Sequence, residues 1–193
     1  MGWQKFLGSA AVSSPLDPAS GISPTADAAD TETVRRIVGQ LEAMPRDQAR
    51  FLAAFAYILT RAASADLDIS EAEQRVIEGL VAEHGKLPES HAVLVAQMAR
   101  SQSLLYGGTE DYLVTRQFKS LSTDEQRLAL LRCCYLVGAA DDDISVAESD
   151  TLQEIASELD VDRAAVNAIR HEFEPMLSTI KAMLRLREVG PGK

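Results

Sequence analysis

Two nine-residue stretches hold most of the side chains in this chain that could do chemistry. Ala65-Asp66-Leu67-Asp68-Ile69-Ser70-Glu71-Ala72-Glu73 returns as Ala140-Asp141-Asp142-Asp143-Ile144-Ser145-Val146-Ala147-Glu148, identical at seven of nine positions and offset by 75 residues. Asp66, Asp68 and Glu73 in the first copy match Asp141, Asp143 and Glu148 in the second. Oxygen-only ligands on a turn suit a hard divalent cation of the Ca or Mg class, and the same charges suit a basic partner surface. If the two turns meet, all six carboxylates share one site. The pattern is not an EF-hand. With Asp66 as position 1, Glu71 stands where that loop needs Gly and Ile77 where it needs Glu.

The same residues also have a purely structural use. Ser70 with Glu73, and Ser145 with Glu148, satisfy the S-x-x-E capping box, in which serine accepts an N–H inside the helix and glutamate reaches back. Asp68 and Asp143 lie where negative charge favours the positive end of a helix. Capping accounts for Ser and Glu. It does not account for Asp66 with Asp68, or for Asp141, Asp142 and Asp143, crowded into one turn where like charges repel unless something screens them. A cation or partner site and a set of capped helix starts both remain open.

Other reactive residues give weaker signals. Cys133 and Cys134 are adjacent in an apolar segment, which is no disulfide framework and reads as buried structural thiols. His84, His91 and His171 show no zinc spacing and read as surface residues of helices. Gly107-Gly108 before Thr109 is expected to form a turn, with Thr109 capping the next helix; Glu110 and Asp111 argue against an anion there. No nucleophile elbow, zincin, dinucleotide or phosphate-loop motif is present, nor the His-Pro-Asp of a J-domain. No catalytic residues are assigned, and the chain is read as not an enzyme.

The elements that must position the acidic turns are helices. Thr31 to Met44 places Val34, Ile37, Val38 and Leu41 at 3-and-4 spacing. Asp47 to Ser64 is apolar on nearly every side, as is the run from Asp124 to about Ala140, and both suit the centre of a bundle. Amphipathic helices follow each acidic turn, over Ser70–Glu83 and Ser145–Leu159. Further helices are expected from Pro88 to about Leu105, Thr109 to about Leu121, Asp162 to Phe173 and Pro175 to Glu188. No β-period of useful length occurs. The expectation is an all-α fold: a single helical bundle of about eight or nine helices built from two related helix–acidic turn–helix halves, 31–106 and 107–188. Residues 1–30 read as a flexible leader with a short apolar start, and 189–193 as a tail.

Composition bounds the function. Among 193 residues, 29 acidic against 19 basic side chains give a net charge of -10, which argues against nucleic-acid binding. No run approaches the roughly 18–20 apolar residues of a membrane span. Trp3, Phe6 and Leu7 within residues 1–8 offer at most a peripheral membrane contact, and Lys181, Arg185 and Arg187 recur on the last helix, where they pair with acidic neighbours or face anionic lipid.

Buried helix, then A-D-x-x-[IL]-x-x-x-E, then amphipathic helix, occurring twice in an all-α chain, resembles the tellurite-resistance TerB family. The carriers are Ala65-Asp66-Leu67-Asp68-Ile69 with Glu73 and Ala140-Asp141-Asp142-Asp143-Ile144 with Glu148, with Asp66, Glu73, Asp141 and Glu148 matching best. Glu154-Ile155-Ala156-Ser157-Glu158-Leu159, then Asp162-Arg163, also looks like the family's second half. The resemblance covers about Thr31 to Glu188. It implies a compact helical bundle with a metal-binding acidic cluster and a role in tellurite and other stress resistance in bacteria. Composition points to a cytoplasmic protein, and the resemblance further implies work near the inner membrane with a TerC-like membrane partner. An adaptor of the co-chaperone kind, without metal, is the alternative. One position departs: the family has Gly after the first Asp, where this chain has Leu67 and Asp142. Without Gly, the turn is expected to lose its positive-φ geometry.

Overall fold

The computed structural model describes Gly39 and residues 43–66 and 69–188, excluding the side chains of Asp66, Arg187 and Glu188. The leader, the tail and, except for Gly39, Ala43 and Met44, the helix expected over Thr31–Met44 lie outside the described residues. Two compact units divide the chain, Met1–Gly39 and Gln40–Lys193, and the helical bundle with both acidic turns belongs to the second.

Helix α1, Arg46–Ala63, is the axis of the bundle. Every residue from Ala54 to Ala63 is buried, because α1 packs against four other helices. Those are α2 (Glu71–Gly85), α3 (Glu89–Leu121), α4 (Asp124–Gly138) and α5 (Val146–Glu158). Helix α6 (Arg163–Glu172), a 3₁₀ turn (Glu174–Met176) and α7 (Ser178–Glu188) complete the order. Phe55, Ile58, Phe118, Leu130, Ile144 and Ile155 are each at most 2% exposed and belong to one core. Fully burying side chains of this size contributes about 1.5–3 kcal/mol apiece.

The helix starts are set by their caps. Ser70 and Ser145 accept from the N–H groups of Glu73 and Glu148, and both glutamates return the bond to the serine N–H at 2.8 and 2.7 Å. Thr123 and Gln126 make the same box at α4. Asp162 caps α6 by accepting from the N–H of Ala164 at 2.9 Å.

The turn expected at Gly107-Gly108 is absent. Helix α3 runs unbroken through both glycines for 33 residues, and the Thr109 hydroxyl bonds back to the Tyr106 carbonyl instead of capping a new helix. Two interior glycines cost a helix roughly 1 kcal/mol each. Here the second half of α3 is pinned to α1: Tyr57 donates to Asp111 at 3.0 Å and Arg61 to Thr115 at 3.2 Å. Tertiary contact outweighs local preference. With those two expected helices fused, the described residues form seven α-helices and no strand, only a single parallel bridge between Ile144 and Leu177.

Candidate functional site

Each acidic turn joins a buried helix to a capped one. The first leaves α1 through a 3₁₀ turn, Ser64–Asp66, which packs against α5, the helix that follows the second turn. The two motifs are therefore neighbours. Glu73 and Glu148, the capping glutamates, are each 5% exposed and come into hydrogen-bonding contact with one another. Burial raises the Glu73 carboxyl above the ordinary range, against the lowering effect of its bonds to Ser70; the nearby charge of Asp141 raises it further. Oε1 of Glu73 is buried and, among the described residues, meets no N–H or O–H donor. Two carboxylates bring only acceptors to each other, so the contact requires a shared proton or a positive charge. The Glu148 carboxyl also lies against the last turn of α4, where a Cβ on Gly138 would stand 3.6 Å from its Oε1.

The six sequence-assigned residues divide. Glu73 and Glu148 meet, and the charge of Asp141 in the second turn acts on Glu73, while its carboxylate also accepts from the Asp143 N–H at 3.2 Å. Asp143 turns to α7 and pairs with Lys181 at 3.0 Å; the same ammonium bonds the Asp142 carbonyl. The second turn is thus screened in part from within the chain. Asp68 and the side chain of Asp66 lie outside the described residues. Among the described residues, no group of three or more His, Cys, Asp or Glu side chains is arranged to hold a metal ion.

Two expectations need correcting. Asp142 adopts φ 66° despite not being glycine, so the second turn keeps the left-handed geometry that the loss of Gly was expected to remove. Asp tolerates this region because its short side chain can hydrogen-bond locally. His91 is not a surface residue but 4% exposed, on the first turn of α3 beside buried Ala92, with Nδ1 3.3 Å from the Ser90 hydroxyl. The cysteines are buried, as read from the sequence. Burial pushes the Cys133 thiol up to about 11 and Cys134 higher still, which disfavours the reactive thiolate despite His84 Nε2 at 3.7 Å from Cys133.

The family model for "Tellurite resistance protein TerB" matches residues 51–171, more than half of the chain. The chain belongs to the TerB family. No curated protein matches it, and no solved structure does. The TerB match takes in both acidic turns and ends within α6, so the Glu73–Glu148 contact lies inside the family domain.

Sequence reasoning missed a second charged centre in this TerB domain. Arg61, in the last turn of α1, has a side chain 8% exposed and engages Glu158 at 2.7 Å, Glu154 at 3.2 Å and Asp111 at 3.6 Å. Burial would lower the Arg61 pKa, but the hydrogen bond and charge of Glu158, with Asp111 and Glu154, raise it. One Arg inside ILTRAAS was the available signal. Its three partners come from sequence 50 to 97 residues away, a separation that no local pattern encodes.

Proposed function

We propose that this TerB domain is a non-enzymatic binding module in which the paired turns take a divalent cation of the Ca or Mg class. Glu73 and Glu148 form the inner ligands, and Asp141 an outer one. The observation that carries the proposal is the buried meeting of the Glu73 and Glu148 carboxyls, where Oε1 of Glu73 meets no hydrogen-bond donor among the described residues. A hard cation there would bind through oxygen ligands alone. Role and setting follow the family: tellurite-related stress resistance, with a membrane partner of the TerC type. No helix among the described residues is long and apolar enough to cross a membrane. A basic partner side chain is the second reading, favoured by Lys181, whose ammonium already docks on the same turn.

Calorimetric titration with Ca²⁺, Mg²⁺, Mn²⁺ and Zn²⁺ tests the cation. Gln keeps the capping bond to the serine N–H, so Glu73→Gln and Glu148→Gln remove ligand charge with the helices intact. Saturable binding is expected in the unaltered chain, at least about tenfold weaker in either variant. Folded protein that binds none of the four ions would leave the pair as a proton-sharing cap and move the search to basic protein partners.

A further inference from the structure

Helices α5 and α6 splay apart into an open cleft of about 520 Å³. Ser149, Gln153 and Ser157 of α5 face Arg163, Asn167 and Arg170 of α6 across it. Its floor is small and apolar, from Ala156, Val161 and Val166. A second hollow of about 240 Å³ continues it along α6, sharing Asn167 and Arg170. The volume lies in the usual range of small-molecule sites, about 300–1,000 Å³, but this lining is dominated by hydrogen-bonding groups.

Arg50, Arg61, Arg75, Arg127 and Arg132 each pair with a carboxylate, while Arg100, Arg116 and Arg185 pair with none among the described residues. Arg163 and Arg170 form no ion pair among the described residues. Asp150 is the single carboxylate in the lining of the larger hollow, so two guanidinium groups leave it net positive. One buried polar atom of the cleft, Nε of Arg170, has no hydrogen-bond partner among the described residues. An orphaned donor of this kind is rare in native interiors and calls for an acceptor. Residues seven apart on a helix share a face, with about 10 Å of rise between them, so the two arginines fit anionic groups at the two ends of one ligand.

We infer that the α5–α6 cleft binds a small polyanion carrying at least two carboxylate or phosphate groups. Arg163 and Arg170 hold the anionic ends in the fork geometry that guanidinium offers such groups. The Asn167 and Gln153 amides and the Ser149 and Ser157 hydroxyls bond the middle. The site is separate from the carboxylate pair, and its ligand has the opposite charge.

The test is calorimetric titration of the full chain at low ionic strength with citrate, pyrophosphate and acetate, and with a hexapeptide of glutamate. Citrate or pyrophosphate is expected to bind saturably, with Kd below about 1 mM. Binding should weaken at least about tenfold in Arg163→Gln and in Arg170→Gln, and stay unchanged in Arg116→Gln, which lies outside the cleft lining. Arg163 is exposed, so its variant reports on binding even if Arg170→Gln unfolds. In NMR spectra the side-chain amides of Asn167 and Gln153 should shift on titration. Tighter binding of pyrophosphate would assign a phosphate ligand, and tighter binding of citrate a carboxylate one. Binding of the hexapeptide alone would overturn the small-ligand inference in favour of an acidic peptide. No saturable binding of any probe, or equal loss in Arg116→Gln, would overturn the site itself.

Discussion

At Glu73, capping and burial pull in opposite directions. The carboxylate secures the start of α2 by accepting from the Ser70 N–H, yet it is 5% exposed and touches Glu148. Burial raises its pKa in the folded state. The native protein therefore holds a proton that the unfolded chain releases above about pH 4.3. Stability from this group is greatest below that pH and falls as pH rises through the folded-state pKa. Glu73→Gln keeps the cap and removes the charge. Without added cation it should be more stable than the unaltered chain at pH 7, with the advantage fading toward pH 4. Urea midpoints at both pH values check this, and a variant equally destabilised at both would refute it. The caps themselves were legible at this scale, because S-x-x-E is a local pattern with a local cause. The φ of Asp142 was not: the loss of glycine argued against it, yet aspartate tolerates this region, and the bridge from Ile144 to Leu177 and Lys181 anchor the segment around it.

Among the elements, helix type followed from apolar spacing, but the length of α3 did not. Gly107-Gly108 is a local signal for a break, and it lost to contacts with α1 at Asp111 and Thr115, beyond the reach of any window on the sequence. The continuity of α3 can be tested at Gly108. Its position is helical, and a Cβ there would meet nothing within 4 Å. Gly108→Ala should therefore stabilise the protein by about 0.5–1 kcal/mol, through lower backbone entropy in the unfolded chain. Thermal or urea unfolding measures it. If the pair formed a turn needing glycine, the same change would destabilise. The meeting of the two acidic turns was half legible: their repetition suggested a shared site, but it took the packing of α5 on the 3₁₀ turn to show which carboxylates meet and that Asp143 turns away to Lys181.

At the scale of the molecule, Arg61 joins what the core alone would leave to shape complementarity. Its guanidinium reaches α3 through Asp111 and Thr115, and α5 through Glu158 and Glu154, fixing both helices on α1. The repeat offset of 75 residues places Leu136 opposite it in the second motif's helix, where the side chain is 42% exposed, so this tie has no counterpart there. The cluster carries three carboxylates for one guanidinium. Burial raises the Asp111 pKa even against the Tyr57 hydrogen bond and the Arg61 charge, so the arrangement tolerates the loss of a carboxylate better than the loss of its cation. Arg61→Met keeps the length and packing of the side chain but leaves Glu158 and Asp111 in a half-buried site without a positive partner. Removing one side of a buried pair costs about 3–5 kcal/mol. The lower end is expected here, since Glu154 is 69% exposed and free to turn to water. Arg61→Lys should fall between, because an ammonium cannot make the paired bonds to Glu158 while reaching Thr115. Adding Glu158→Gln to Arg61→Met should recover part of the loss, a coupling readable in a double-mutant cycle. Arg61→Met unfolding within about 0.5 kcal/mol of the unaltered chain would mean that apolar packing around α1 holds α3 and α5 without the ion cluster.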